Sequence, residues 1–220
     1  MSLSPPFLTG PRVIATESAR PFSLTSEKIS LWNYAIEKSP TVMDKVLQLL
    51  MDRIETPIGE LFLVADRDGN LRSTVWADHE IHLRPSLELH YGKNGFAIEP
   101  GKNSSGLTEA IGRYFAGDLA AIDALPVQTA GTPFQREVWR ALREIPCGTT
   151  ISYAALAGRI GRPNAVRAVG MANGSNPVGI VVPCHRVIGS DGSLTGYGGG
   201  IERKRWLLRH ERALANNLGF

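Results

Sequence analysis

The sequence predicts an α+β protein with a strand-rich first half and a mainly helical second half. Two observations carry this, and a third, the charge, marks a basic half of the kind that binds a polyanion, or a merely solvated basic face. Ile58 to Ala65 and Leu71 to Trp76 are apolar, strand-like runs separated by Asp68-Gly69-Asn70, a hairpin signal. After Thr132 the apolar residues recur at helical spacing instead. The charge divides at the same place. Residues 132–220 hold 12 Lys/Arg and 5 Asp/Glu, a balance of +7, whereas residues 1–131 hold 12 and 16, a balance of −4.

Taken in order, residues 1–42 carry Pro5, Pro6, Gly10, Pro11, Pro21 and Pro40 among scattered Ser and Thr, and read as a loosely structured extension. A first domain is expected over 43–131. It holds the hairpin, then a helix from Leu107 to Phe115 with Ile111, Tyr114 and Phe115 inward, then a connection ending near Gly131. A second domain is expected over 132–220. Thr132 fits an N-cap, with Pro133 at the first helical position and Gln135 at the third. Phe134, Val138, Leu142 and Ile145 follow at helical spacing, and Pro146-Cys147-Gly148 ends that helix. Two short helices, about Ser152–Ile160 and Pro163–Asn173, flank Gly161 and read as a helix-turn-helix. Val178 to Val182 reads as a short buried strand, and Ile201–Asn216 as a final helix.

A chain of 220 residues with 43% hydrophobic content supports a real core. No apolar stretch is long enough to cross a bilayer, and the first 25 residues lack the basic start and apolar centre of a signal peptide. The expectation is a soluble, cytoplasmic protein. The two cysteines form no CxxC pair and the five histidines do not cluster at ligand spacings, so no zinc site is expected.

The chemistry concentrates at Pro183-Cys184-His185-Arg186-Val187. A free cysteine is mostly protonated at neutral pH, with a pKa of about 8.5, and a neighbouring cation that lowers it by about two units makes thiolate the majority form, the expectation for this site. The plain alternative is an inert cysteine packed as a small hydrophobe. Flanking His185 and Arg186 favour reactivity. On the last helix, Leu207, Leu208, Leu214 and Ala215 share a face with Glu211. A carboxylate on an apolar stripe demands a partner. His185 would make a Glu211–His185–Cys184 relay, and pairing with an arginine is the alternative. The helix carrying Ala165, Val166, Ala168, Gly170 and Ala172 is slim, and Arg167 is its only charged side chain. Such a helix can lie deep in a nucleic-acid groove or pack tightly on another helix, and composition leaves both open. Gly196-Tyr197-Gly198-Gly199-Gly200 brings backbone N–H groups and an aromatic wall near the proposed relay.

With these residues in view, the chain resembles the methylated-DNA–protein-cysteine methyltransferases, also called O6-alkylguanine-DNA alkyltransferases, in their Ogt-like form. The matching stretches are TPIGEL, YFAGDL, GTPFQREVW, IPCGTTISYAALA, RAVGMANGSNPVGIVVPCHRVIG, LTGYGGG and RKRWLLRHE, together covering roughly Ile54 to Glu211. The resemblance implies an N-terminal α/β domain with a small antiparallel sheet, ribonuclease H-like, followed by a helix-turn-helix domain. It implies direct reversal of O6-alkylguanine, and of O4-alkylthymine, in double-stranded DNA, with one turnover per molecule. It implies a monomer in solution, leaves clustering along DNA open, and implies no cofactor.

It also implies roles. Cys184 would accept the alkyl group, with His185 and Glu211 completing the relay through a water. Tyr153 would give a proton to the base, and Asn176 would brace the hinge before the active-site strand. Arg167 would fill the place of the rotated nucleotide. The carbonyls of Cys184 and Val187 would accept from the exocyclic amine of the base, and Tyr197, Gly198 and Lys204 would shape the pocket. Some relatives have serine where Gly198 stands and proline where Gly179 stands, so a roomier pocket is expected here. Two other readings compete: a helix-turn-helix module that binds lesions without transfer, and a thiol hydrolase or redox protein using Cys184 and His185. The first lacks the reactive cysteine, and the second leaves Arg167 and its slim helix unexplained.

Overall fold

Strand alternation begins the described part of the chain. The computed structural model describes residues 46–102 and 105–214, so the expected extension and Ala215 lie outside the described residues. Strands β1 (Leu47–Thr56), β2 (Gly59–Asp66) and β3 (Leu71–Trp76) form an antiparallel meander. A two-turn 3-10 helix, Ala77–His82, and helix α1 (Leu83–Tyr91) carry the chain to β4 (Phe96–Pro100). That strand joins the far side of β1 in parallel, giving the order β3-β2-β1-β4. The sheet is therefore mixed, not antiparallel as expected. The physical reason is the α1 crossover, which returns the chain to the end from which β1 also starts.

β2 is one of the two inner strands, and its residues from Leu61 on are buried on both faces. Leu61, Leu63 and Ala65 enter one apolar cluster, while Val64 joins Leu49, Leu83, Leu87 and Phe96 in another beneath α1. This is the period-two consequence of successive side chains pointing to opposite faces. The larger cluster takes in Ile111 and Tyr114 from α2 (Leu107–Phe115) and continues past Gly131 with Val138, Leu142, Leu156, Val169 and Leu207 from later helices.

Helix α3 (Pro133–Arg143) starts as the sequence requires. Thr132 Oγ1 accepts from the Gln135 backbone N–H, and the Gln135 side chain accepts from the Thr132 N–H. Helices α4 (Tyr153–Arg159) and α5 (Val166–Gly174) follow, α4 capped by Ser152. A short pair, β5 (Ile151–Ser152) and β6 (Val187–Ile188), holds the segment after Cys184 in place. Helix α6 (Ile201–His210) closes the described chain.

Two expectations are corrected. Val178–Val182 is not a strand. Val178 makes one bridge to Thr74, and the run then folds on itself through Val181 N–H to Gly179 O and Val182 N–H to Val178 O. An apolar run alone does not separate a buried strand from a buried turn. The last helix ends at His210 rather than Asn216. Arg212 turns left-handed at φ 60°, and the Ala213 N–H reaches back to Leu208 O.

Candidate active site

Cys184 opens a single 3-10 turn, Cys184–Arg186, so the thiol stands at the start of a turn and not at a strand end. It is 7% exposed and lines a cavity of about 410 Å³. β3 contributes Thr74 and Trp76 to the wall, the end of α5 contributes Asn173, and Asn176, Gly179, Tyr197 and Gly198 complete it.

Behind the thiol, His185 Nε2 lies 3.0 Å from Glu211 Oε1, and both side chains are fully buried. The carboxylate fixes the tautomer: Nε2 carries the proton and donates it to Glu211. Nδ1 is then a bare acceptor, buried and without a hydrogen-bond partner among the described residues. Burial pushes the imidazole below its ordinary value, more than Glu211 raises it, so it rests neutral. Burial pushes Glu211 up, but the hydrogen bonds from His185 and Arg186 and the Arg186 charge outweigh it and hold the carboxyl well below the usual range.

Arg186 does not flank the sulfur as the sequence suggested. Its Nε and Nη2 grip Glu211 at 2.8 and 2.9 Å, and Nη1 donates to Ile145 O. Both expected partners of Glu211 are thus present. A further one, Tyr114, donates its hydroxyl to Oε1 at 2.8 Å. Burial, then Glu211, pushes that phenol far up, so it stays a donor.

The cation that acts on the sulfur is Lys204. It is fully buried, donates to Val187 O and Thr195 O at 2.7 Å each, and has its pKa brought down to about 8 by burial. Burial pushes the Cys184 thiol up, and the Asn176 side chain and Lys204 only partly offset this. The resting sulfur is therefore a thiol, not the standing thiolate that the sequence suggested.

Asn176 clamps the loop ahead of the cysteine, donating to Val182 O at 2.8 Å and accepting from the Val178 N–H at 3.0 Å. Tyr197 is half-buried, with its hydroxyl beside Gly179. A Cβ added at Gly198 would meet nothing within 4 Å, and one at Gly179 would lie 3.5 Å from Thr74 Oγ1, so both leave room. Among the described residues the Tyr153 hydroxyl bonds Thr195 O, at 3.4 Å, and Tyr153 is not part of the cavity wall. On α5, Val166, Arg167 and Ala168 are exposed, while Ala165 and Gly170 are half-buried, Gly170 facing the Tyr153 ring. Arg167 has no ion-pair partner among the described residues.

Sequence reasoning missed three participants. Arg203 lies over the Trp76 ring at 4.4 Å and bonds Ile58 O, Gly199 O and Asp78. Met171 is 73% exposed, one turn beyond Arg167. Asn173 faces the cavity from the end of α5. Only Met171 left a signal, as a large apolar residue on an otherwise slim helix.

A thiol at a cavity wall, next in the chain to a carboxylate-oriented imidazole, is the arrangement expected of a cysteine nucleophile. Residues 133–213 match the family model described as the DNA binding domain of 6-O-methylguanine DNA methyltransferase. A methylated-DNA–protein-cysteine methyltransferase of Shigella flexneri is 52% identical over 166 residues, 76% of this chain and 97% of the relative. One of Mycobacterium bovis is 55% identical over 164 residues, 74% of this chain and 92% of the relative. The crystal structure of Mycobacterium tuberculosis OGT in complex with DNA superposes with a TM-score of 0.60 at 41% identity, covering 74% of this chain and 93% of that one. The chain belongs to the methylated-DNA–protein-cysteine methyltransferase family.

Proposed function

We propose that Cys184 takes the alkyl group from O6 of guanine, or O4 of thymine, in duplex DNA, by the direct-reversal repair of the family to which the chain belongs. The observation that carries this is the cavity-lining thiol backed by the 3.0 Å His185–Glu211 contact. The thiol proton passes, through a bridging water, to Nδ1 of His185, whose positive charge Glu211 then offsets. The sulfur attacks the alkyl carbon. An S–C bond forms, the C–O bond breaks, and its electron pair stays on the base oxygen. A proton from the Tyr153 hydroxyl restores the neutral base, and the proton held on His185 returns through water to the tyrosinate. The net change is thiol plus alkylated base to thioether plus normal base. The thioether has no return path, so each molecule acts once.

A base in a duplex cannot reach a recessed sulfur unless its nucleotide rotates out, at a cost of about a few kcal/mol. We read α4 and α5 as a helix-turn-helix that holds the duplex, with exposed Arg167 filling the vacated stack. The mixed sheet with its crossover helix is read as ribonuclease H-like, and the protein as a monomer in solution. Intact mass after incubation with duplex DNA bearing O6-methylguanine tests the reading. One methyl gained per molecule, and none in Cys184→Ser, is expected. Binding without a mass change, or more than one turnover, would refute it.

A further inference from the structure

A second cleft, of about 430 Å³, opens on the other side of the glycine loop. Gly199 lines both it and the cavity that holds Cys184. Its volume falls within the range of small-ligand sites, about 300–1,000 Å³. Its remaining walls are Arg203, Arg205, Arg209, Glu202 and Trp206 from α6, closed by Ile58. The three arginines are not equivalent. Arg203 is committed to Ile58 O, Gly199 O and Asp78. Arg205 Nη1 donates to both oxygens of Glu202, so the carboxylate of the cleft is already answered. Arg209 has no hydrogen bond or ion pair among the described residues, and its Nε is buried without a partner. Buried N–H groups are almost always bonded, so this orphan beside an open cleft needs an acceptor from outside the chain.

A guanidinium keeps its charge and holds five donors in a planar fork, which matches the oxygens of a phosphate. Beside it, half-buried Trp206 brings an indole to the same cleft. Nucleobases stack on indole and guanidinium planes, whereas an acidic side chain would use the charge and leave the ring idle. We infer that this cleft is a nucleotide-binding site separate from the alkyl-transfer cavity, with the phosphate on Arg209 and the base against Trp206. The shared chemistry is a phosphate beside a planar base, and it has two sources: a free nucleoside monophosphate, or a nucleotide of single-stranded DNA.

Calorimetric titration of the full-length protein with dAMP, deoxyadenosine and inorganic phosphate tests this. Saturable binding of dAMP is expected, tighter than that of either half alone. Arg209→Ala should weaken dAMP by about tenfold or more, the worth of a charge-assisted hydrogen bond, and Arg209→Lys should recover only part of it. Because Arg209 holds no partner within the protein, Arg209→Ala should move the melting temperature by no more than about 2 °C, so lost binding is not lost folding. Single-stranded oligodeoxyadenylate separates the sources. If it weakens together with dAMP in Arg209→Ala, the site takes nucleotides within DNA, and if dAMP alone weakens, it takes free ones. No saturable binding of dAMP would overturn the inference. So would an unchanged dAMP affinity in Arg209→Ala, or inorganic phosphate binding as tightly as dAMP, which would leave a plain anion patch.

Discussion

Glu211 accepts four hydrogen bonds, from Tyr114, from His185 and two from Arg186. That makes it the residue on which the chemistry and the core both turn. Glu211→Ala leaves the Arg186 charge buried and uncompensated, and should cost about 3–5 kcal/mol in denaturant unfolding. Its pH dependence has a fixed sign. The folded carboxyl is held below its ordinary value of 4.5, so its stabilisation is full above that value and is lost as pH falls through and below it. Thermal melts of the wild type should therefore fall steeply below about pH 4.5, and those of Glu211→Gln should fall less. Glu211 was legible in the sequence, because a carboxylate on an apolar stripe must find a partner. The direction of Arg186 was not. Side chains in a 3-10 turn diverge by about 120° per residue, so neighbours in the chain face different surroundings.

At the scale of elements, α5 is presented to solvent with Arg167 and Met171 on one side and Asn173 turned inward. If Arg167 fills the stack, Arg167→Ala should slow transfer from duplex DNA at least tenfold more than reaction with free O6-benzylguanine. Equal losses on both would refute the insertion role. Helices α3 and α4 were readable because their signals are local, a capping box at Thr132 and Gly161 in the turn after α4, whereas α5, expected from Pro163, begins only at Val166, where no side chain caps it. Helix α1 was not read. Pro85 stands in its first turn, where it is tolerated, and only Leu83 and Leu87 are buried along it. The parallel edge strand β4 was equally hidden, since strand order is set by the crossover and not by local pattern. Val178–Val182 misled for a related reason: full burial erases the alternation that distinguishes strands.

At the scale of the whole molecule, Arg203 ties the sheet to the glycine loop and to α6. It bonds Ile58 O, Gly199 O and Asp78 while lying over Trp76, and Gly199 comes so near Trp76 that an added Cβ would sit 2.4 Å from its Nε1. Arg203→Ala should lower the melting temperature by about 5–10 °C, and Arg203→Lys should not restore it, because an ammonium cannot stack and fork at once. None of this was legible, since the partners lie up to 145 residues apart. The raised thiol of Cys184 has a consequence for the life of the protein. Oxidation attacks the thiolate form. A sulfur kept protonated at rest resists peroxide and stray electrophiles, and a reagent that works once keeps its shelf life until damage arrives.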